Sequence, residues 1–134
     1  MTAATHLLLA QQFLAQLGGG ASAEAMAALC VPDLDWNIPG DAAAQPWIGA
    51  RRGSAALASF VRDTGAAISR EGLEIKDILA NDARAIILGH LQSRVNATGK
   101  LIDTPFAIAM TFDADKIASF LLFEDSYAVS IASR

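Results

Sequence analysis

Glu124 and Asp125 are adjacent carboxylates that follow an apolar run, Phe-Leu-Leu-Phe at 120–123. A carboxyl desolvated by Phe120 and Leu122 would have a raised pKa and could serve as a base. Neighbours on a strand point to opposite sides. Only one of the pair can then face an interior, unless a bulge intervenes. The other caps the chain or is solvated. His90 lies in a long apolar segment between Leu88 and Gln92, with Arg84 and Arg94 on the same alternation set. Histidine is the usual general base near neutral pH; the alternative is a polar residue at an interface or a hydrogen-bonded core histidine. Asn37 could orient a water or a carbonyl, or bond the local backbone before Pro39. Trp36 and Trp47 flank a Pro-Gly loop and suit the wall of a site for an apolar or ring-shaped ligand, or plain core packing.

The elements that would position these residues can be read from periodicity. Residues 4–17 place Leu7, Leu8, Phe13, Leu14 and Leu17 near one side of a helix, which the run Gly18-Gly19-Gly20 stops. Ser22 can cap a second helix through Met26 and Leu29, with Cys30 at its end. Residues 33–37 read as a short strand, and 39–50 as an apolar loop that folds over something. Residues 53–68 form a third helix. After it come strands at 72–80, 84–96, 103–112 and 117–127, separated by turns. In 103–112, Phe106, Ile108, Met110 and Phe112 share one face, and Ala107, Ala109 and Thr111 the other. The bulky face suits a core and pocket. The small face suits close approach of a second sheet. The last strand is apolar on both faces, which implies a homodimer through the sheet. The predicted fold class is α+β: a cone-shaped, curved antiparallel sheet packed against three N-terminal helices, with residues 1–134 as one domain.

Composition narrows the function classes. The chain has 134 residues, 53% of them hydrophobic and 18% charged, with a net charge of −4. That is rich in apolar residues for so short a chain, so some of them should line a pocket or interface. The ten Lys and Arg are scattered, so no phosphate-binding footprint forms and nucleic acid is not expected. The single cysteine, Cys30, cannot form an intramolecular disulfide and reads as a small buried apolar residue. No basic leader and no membrane-length apolar run is apparent. A cytoplasmic protein is expected. His6 and His90 are the two histidines, and neither lies in a ligand-spaced cluster. No metal and no cofactor is called for.

The order and spacing of Asp33-Leu34-Asp35-Trp36-Asn37-Ile38-Pro39-Gly40, of Trp47-Ile48-Gly49-Ala50-Arg51-Arg52-Gly53, and of Phe112-Asp113-Ala114-Asp115-Lys116-Ile117 leading to Glu124-Asp125 resemble the nuclear-transport-factor-2-like superfamily. The likeness is to its SnoaL-like and ketosteroid-isomerase-like members and covers nearly the whole chain. It implies a cone with a deep apolar cavity. It also implies a cofactor-free isomerase, dehydratase, cyclase or hydrolase, or else a non-catalytic binding or dimerisation domain. Ketosteroid isomerases carry a tyrosine where this chain has Phe13, a base aspartate near Asn37 and a protonated aspartate near Ile108; the enzyme is a standard case of a carboxylic acid kept neutral by an apolar site. SnoaL-like cyclases use a histidine and an aspartate where this chain has Ile108 and Leu122. The Arg-x-Asp of limonene epoxide hydrolases falls near Gly89 and Leu91, or near His90 and Gln92 after a slip of one residue. Only Asn37 matches that family's water-positioning asparagine. Phe and Ile can neither abstract a proton nor donate a hydrogen bond to an oxyanion. The expected cavity is therefore walled by Phe13, Trp36, Trp47, Ile108, Met110, Phe120 and Leu122, with Asn37 at its cap and His90, Glu124 or Asp125 as proton carriers.

Overall fold

A computed structural model describes residues 2–134. Helices α1 (Ala3–Gly18) and α2 (Ala23–Ala27) precede strand β1 (Cys30–Ile38). Strand β2 (Gly49–Arg52) and helix α3 (Ala55–Ala67) follow, then β3 (Ile68–Ala80), β4 (Arg84–Val95), β5 (Leu101–Asp113), β6 (Lys116–Glu124) and helix α4 (Ser126–Ala132). The six strands form one curved, unclosed sheet in the order β2-β1-β6-β5-β4-β3. The N-terminal helices lie against it, as an α+β cone requires.

Local chemistry accounts for the element ends. Thr2 and Ser22 cap α1 and α2 through their hydroxyls, which accept from the backbone N–H groups of Thr5 and Ala25. Asp125 does the same for α4, accepting from the N–H of Ala128 at 3.1 Å. That cap turns the chain out of β6. The strand expected to reach residue 127 therefore ends at Glu124, and a fourth helix takes its place. Cys30 opens β1 instead of ending α2. Its thiol is pushed up to about 11 by burial, which keeps it a small neutral core group.

The sheet is not wholly antiparallel. β1 runs parallel to β6, in register at Trp36↔Phe120, while every other pair is antiparallel. The β1–β6 pairing is irregular between Cys30 and Asp35. Pro32, which has no N–H to give, falls in that gap. Its carbonyl and that of Leu34 instead accept from Ser54 and Gly53, which holds the short β2 edge and the start of α3 against β1.

Strict alternation along β4 and β5 sends Ala85, Ile87, Phe106, Ile108 and Met110 to the concave face, where all are buried. Phe13 and Ala10 of α1 and Leu57 of α3 cover them. Trp36 stacks on Phe120 with ring centroids 4.4 Å apart and planes 7° off parallel. Gly89 faces Phe106 across the β4–β5 pair. A Cβ there would sit 2.6 Å from the Phe106 ring and 2.5 Å from the carbonyl oxygen of Glu74. Only glycine lets the ring come this close to the strand. Gly89→Ala is expected to lower stability by about 1–3 kcal/mol through overpacking. Urea midpoints of the two proteins at one pH check it.

Candidate functional site

Between the concave sheet face and the helices lies a partly open cavity of about 90 Å³. Its walls carry five aromatic rings, Phe13, Trp47, Phe60, Phe106 and Phe120, with aliphatic side chains such as Leu91, Ile108 and Leu122 between them. The loop after β1 folds back to close one end. Its Gln45 donates to the Ser133 hydroxyl at 2.9 Å, and Ser130 of α4 donates to Asp41 at 2.9 Å. Trp47 and Val129 thereby enter the lining, and Trp47 meets Phe60 edge-on at 86°. A shallower cleft of about 310 Å³ adjoins the cavity between the ends of α1 and α3, and the two share Leu17, Thr64, Ile68 and Arg70.

Four polar side chains line the cavity: Thr64, Arg70, Ser93 and Glu124. The Thr64 hydroxyl is engaged, donating to the Phe60 carbonyl at 2.7 Å. Glu124 is the carboxyl in the set. It stands opposite Phe106 at the end of β6. Its carboxyl makes no hydrogen bond or ion pair among the described residues, and burial alone pushes it up to about 7 from an ordinary 4.5. The chain just after it is clamped, since the N–H of Asp125 donates to Thr104 Oγ1 at 2.9 Å and Thr104 is fully buried.

Several expected site residues lie elsewhere. Asp125 is spent on the α4 cap and points away from the cavity. His90 lies on the outer, convex face, because β4 alternates and Gly89 and Leu91 hold the inner positions. Its Nε2 pairs with Asp103, to which Gln92 also donates at 3.2 Å. These two hydrogen bonds, His90's first, hold the Asp103 carboxyl below its ordinary value. Asn37 faces outward beside Leu121, since Trp36 and Ile38 take the inner positions of β1. Trp36 and Met110 are buried behind the cavity wall and do not line it. The Trp36 indole N–H has no acceptor among the described residues. Phe13, Trp47, Ile108, Phe120 and Leu122 do line the cavity.

Sequence reasoning missed Phe60, Thr64, Arg70 and Ser93 as lining residues. Ser93 shares the inner alternation set of β4 and was findable. Arg70 was not. Arg70 and Leu73 both face the cavity although they are three residues apart, because a bulge shifts the β3–β4 register between Arg70 and Gly72.

No group of three or more potential metal ligands occurs among the described residues. No helix among them is long and apolar enough to cross a membrane.

Comparison with known proteins agrees with this architecture. The model of the SnoaL-like domain family matches residues 10–120, and the chain belongs to that family. Its fold is similar to that of an NTF2-like protein from Burkholderia xenovorans LB400, with a TM-score of 0.88 at 25% identity over 100% of this chain and 99% of that one. A protein with a ketosteroid isomerase-like fold from Catenulispora acidiphila, crystallised with trimethylamine, has a TM-score of 0.73 at 15% identity over 93% and 91%. A provisionally assigned isomerase from Rhodopseudomonas palustris has a TM-score of 0.70 at 19% identity over 79% and 78%. Among curated proteins, none matches the sequence significantly.

The raised pKa of Glu124 has a consequence for stability. The unfolded chain ionises this group near 4.5 and the folded chain near 7. Between those values only the folded state holds the proton. Stability from this group therefore falls as pH rises from about 4.5 to about 7, then levels off, a total of up to about 3 kcal/mol. Glu124→Gln is expected to remove that loss and to exceed the parent in stability at pH 8. Urea unfolding at pH 5 and pH 8 measures both.

Proposed function

We propose that the chain takes a small apolar molecule into this cavity and acts on it by cofactor-free acid–base chemistry, with Glu124 as the proton carrier. The carrying observation is Glu124 itself: a carboxyl without a partner among the described residues, in a cavity that Phe106, Phe120 and Leu122 also line. A pKa near 7 lets such a group take a proton and return it at neutral pH. The cavity size restricts the substrate. At about 90 Å³ it lies below the roughly 300–1,000 Å³ of drug-sized ligand sites. That favours a small substrate over a polycyclic one, or one that extends into the adjoining cleft. Family membership supports the reaction class only broadly, because one fold hosts many functions.

A binding-only role is the second reading. Phe13, Ile108 and Leu122 favour it, since apolar side chains stand where catalytic groups would be expected. Trimethylamine is a direct probe here, because a cation beside Glu124 would hold the carboxyl ionised and lower its pKa. The two readings separate in one assay. Proton exchange at the α-carbon of small cyclic ketones in D2O, followed by NMR, is expected to be accelerated by the parent, with a rate that rises with pH through about 7. Glu124→Gln is expected to lose at least ~100-fold of that acceleration. Ketones that stabilise the protein without exchanging would leave the binding-only reading.

We also propose that a second copy of this chain covers the convex face. Leu88 and Phe123 are exposed there, and Ala107 and Ala109 beside them leave room for another sheet. Light scattering is expected to give twice the chain mass at micromolar concentration, and Phe123→Asp to shift it to the monomer. A monomeric parent overturns this proposal.

A further inference from the structure

We propose that Arg70 receives an anionic head group, so that the molecule occupying the cavity is a small apolar carboxylate. The inference rests on reading the cavity as a ligand site and names the class of ligand. Arg70 lines both the cavity and the adjoining cleft and is itself exposed, so it stands at the rim where the two meet. It is the cation of either lining. Arg52, Arg62 and Arg94 each pair with a carboxylate, those of Asp35, Glu24 and Glu71. The Arg70 side chain makes no hydrogen bond or ion pair among the described residues. A guanidinium offers a planar fork of donors that matches a carboxylate with two parallel bonds.

The position is built by the sheet. Alternation from Ile68 puts Arg70 on the concave side, opposite Ser93, which is buried and also lines the cavity; the bulge that follows hands the inner positions on to Leu73. Thr64 and Ile68 flank it in both hollows. The apolar body of a ligand held here would run inward toward Phe106 and Phe120.

Arg70 and Glu124 do not meet. Arg70 stands opposite Ser93, and Ser93 opposite Ile102. Phe106, which faces Glu124, is four residues further along β5. Three strand spacings of about 4.8 Å and four rises of about 3.4 Å separate the two backbones by roughly 20 Å along the sheet. Curvature and the two inward side chains shorten the gap. The two groups then divide the work. Arg70 holds the head group at the mouth, and Glu124 stands at the far, apolar part of the molecule. A carboxylate placed at Glu124 instead would meet a like charge in an apolar wall, so the charge sets the direction of entry.

Hexanoate, hexanamide and hexylamine test this with the intact chain, by calorimetric titration at pH 7.5. Hexanoate is expected to bind roughly tenfold more tightly than hexanamide. Arg70→Gln is expected to bring hexanoate down to the level of hexanamide without moving hexanamide. Arg70→Lys is expected to restore part of the difference, since a lysine keeps the charge and loses the fork. Equal binding of hexanoate and hexanamide by the parent overturns the proposal and leaves the cavity reading intact, as does preference for hexylamine. An equal loss of both ligands in Arg70→Gln also overturns it. Failure of all three to bind overturns both the proposal and the cavity reading beneath it.

Discussion

The parallel pairing of β1 with β6 is the constraint on which the rest depends. It brings residues 30–38 beside residues 116–124, so the first strand of the chain must cross to the last. Ile117 donates to the Leu29 carbonyl at 2.9 Å, and the Lys116 ammonium donates to that of Ala28 at 2.6 Å. The Trp36–Phe120 stack lies in the same register. Once β1 is fixed there, α1 and α2 before it and α3 after it are held on the concave side. Such a long-range contact carries a loop-closure cost that the buried aromatic surface helps to offset. Trp36 is fully buried with its N–H unpaired among the described residues, a penalty of about 1–3 kcal/mol.

Two irregularities of the sheet shape the cavity. Gly89 lets Phe106 lie against β4, which opens space above the ring and sets the wall beside Glu124. The bulge after Arg70 shifts the inner set of β3 from Ile68 and Arg70 to Leu73, so Arg70 and not Glu71 faces the cavity. The result is a mostly apolar cavity lined by one carboxyl, that of Glu124, and one guanidinium, that of the exposed Arg70. The same alternation on the convex side carries His90, Asp103 and Gln92 into a surface network, so the one histidine of the long strand serves the outer face.

Much of the architecture was legible in the residues. The Gly18-Gly19-Gly20 stop, the Ser22 cap and the period-2 pattern of 103–112 each have a local cause, and their elements stand where those causes put them. The Asp125 cap was as local a signal, yet its place after an apolar run disguised it as strand. The edge strand β2 carries only four residues, Gly49–Arg52, and its pairing with β1 has no local signature. The parallel register of β1 was equally hidden, because parallel neighbours are set by distant contacts and not by a turn.

By itself the sequence determined the α+β class, the inner face of the strand at 103–112, and the apolar character of the residues that wall the cavity. These follow from side-chain periodicity, which a backbone of fixed geometry converts directly into faces. It also determined that Glu124 and Asp125 face opposite ways. Only the tertiary structure decided which of them looks inward, because that depends on the register of β6 against Phe106 and on the cap that claims Asp125. It likewise decided that His90 and Asn37 face out and that Arg70 faces the cavity. Each of those outcomes turns on a one-residue offset in strand pairing, and a one-residue offset exchanges the two faces of a strand.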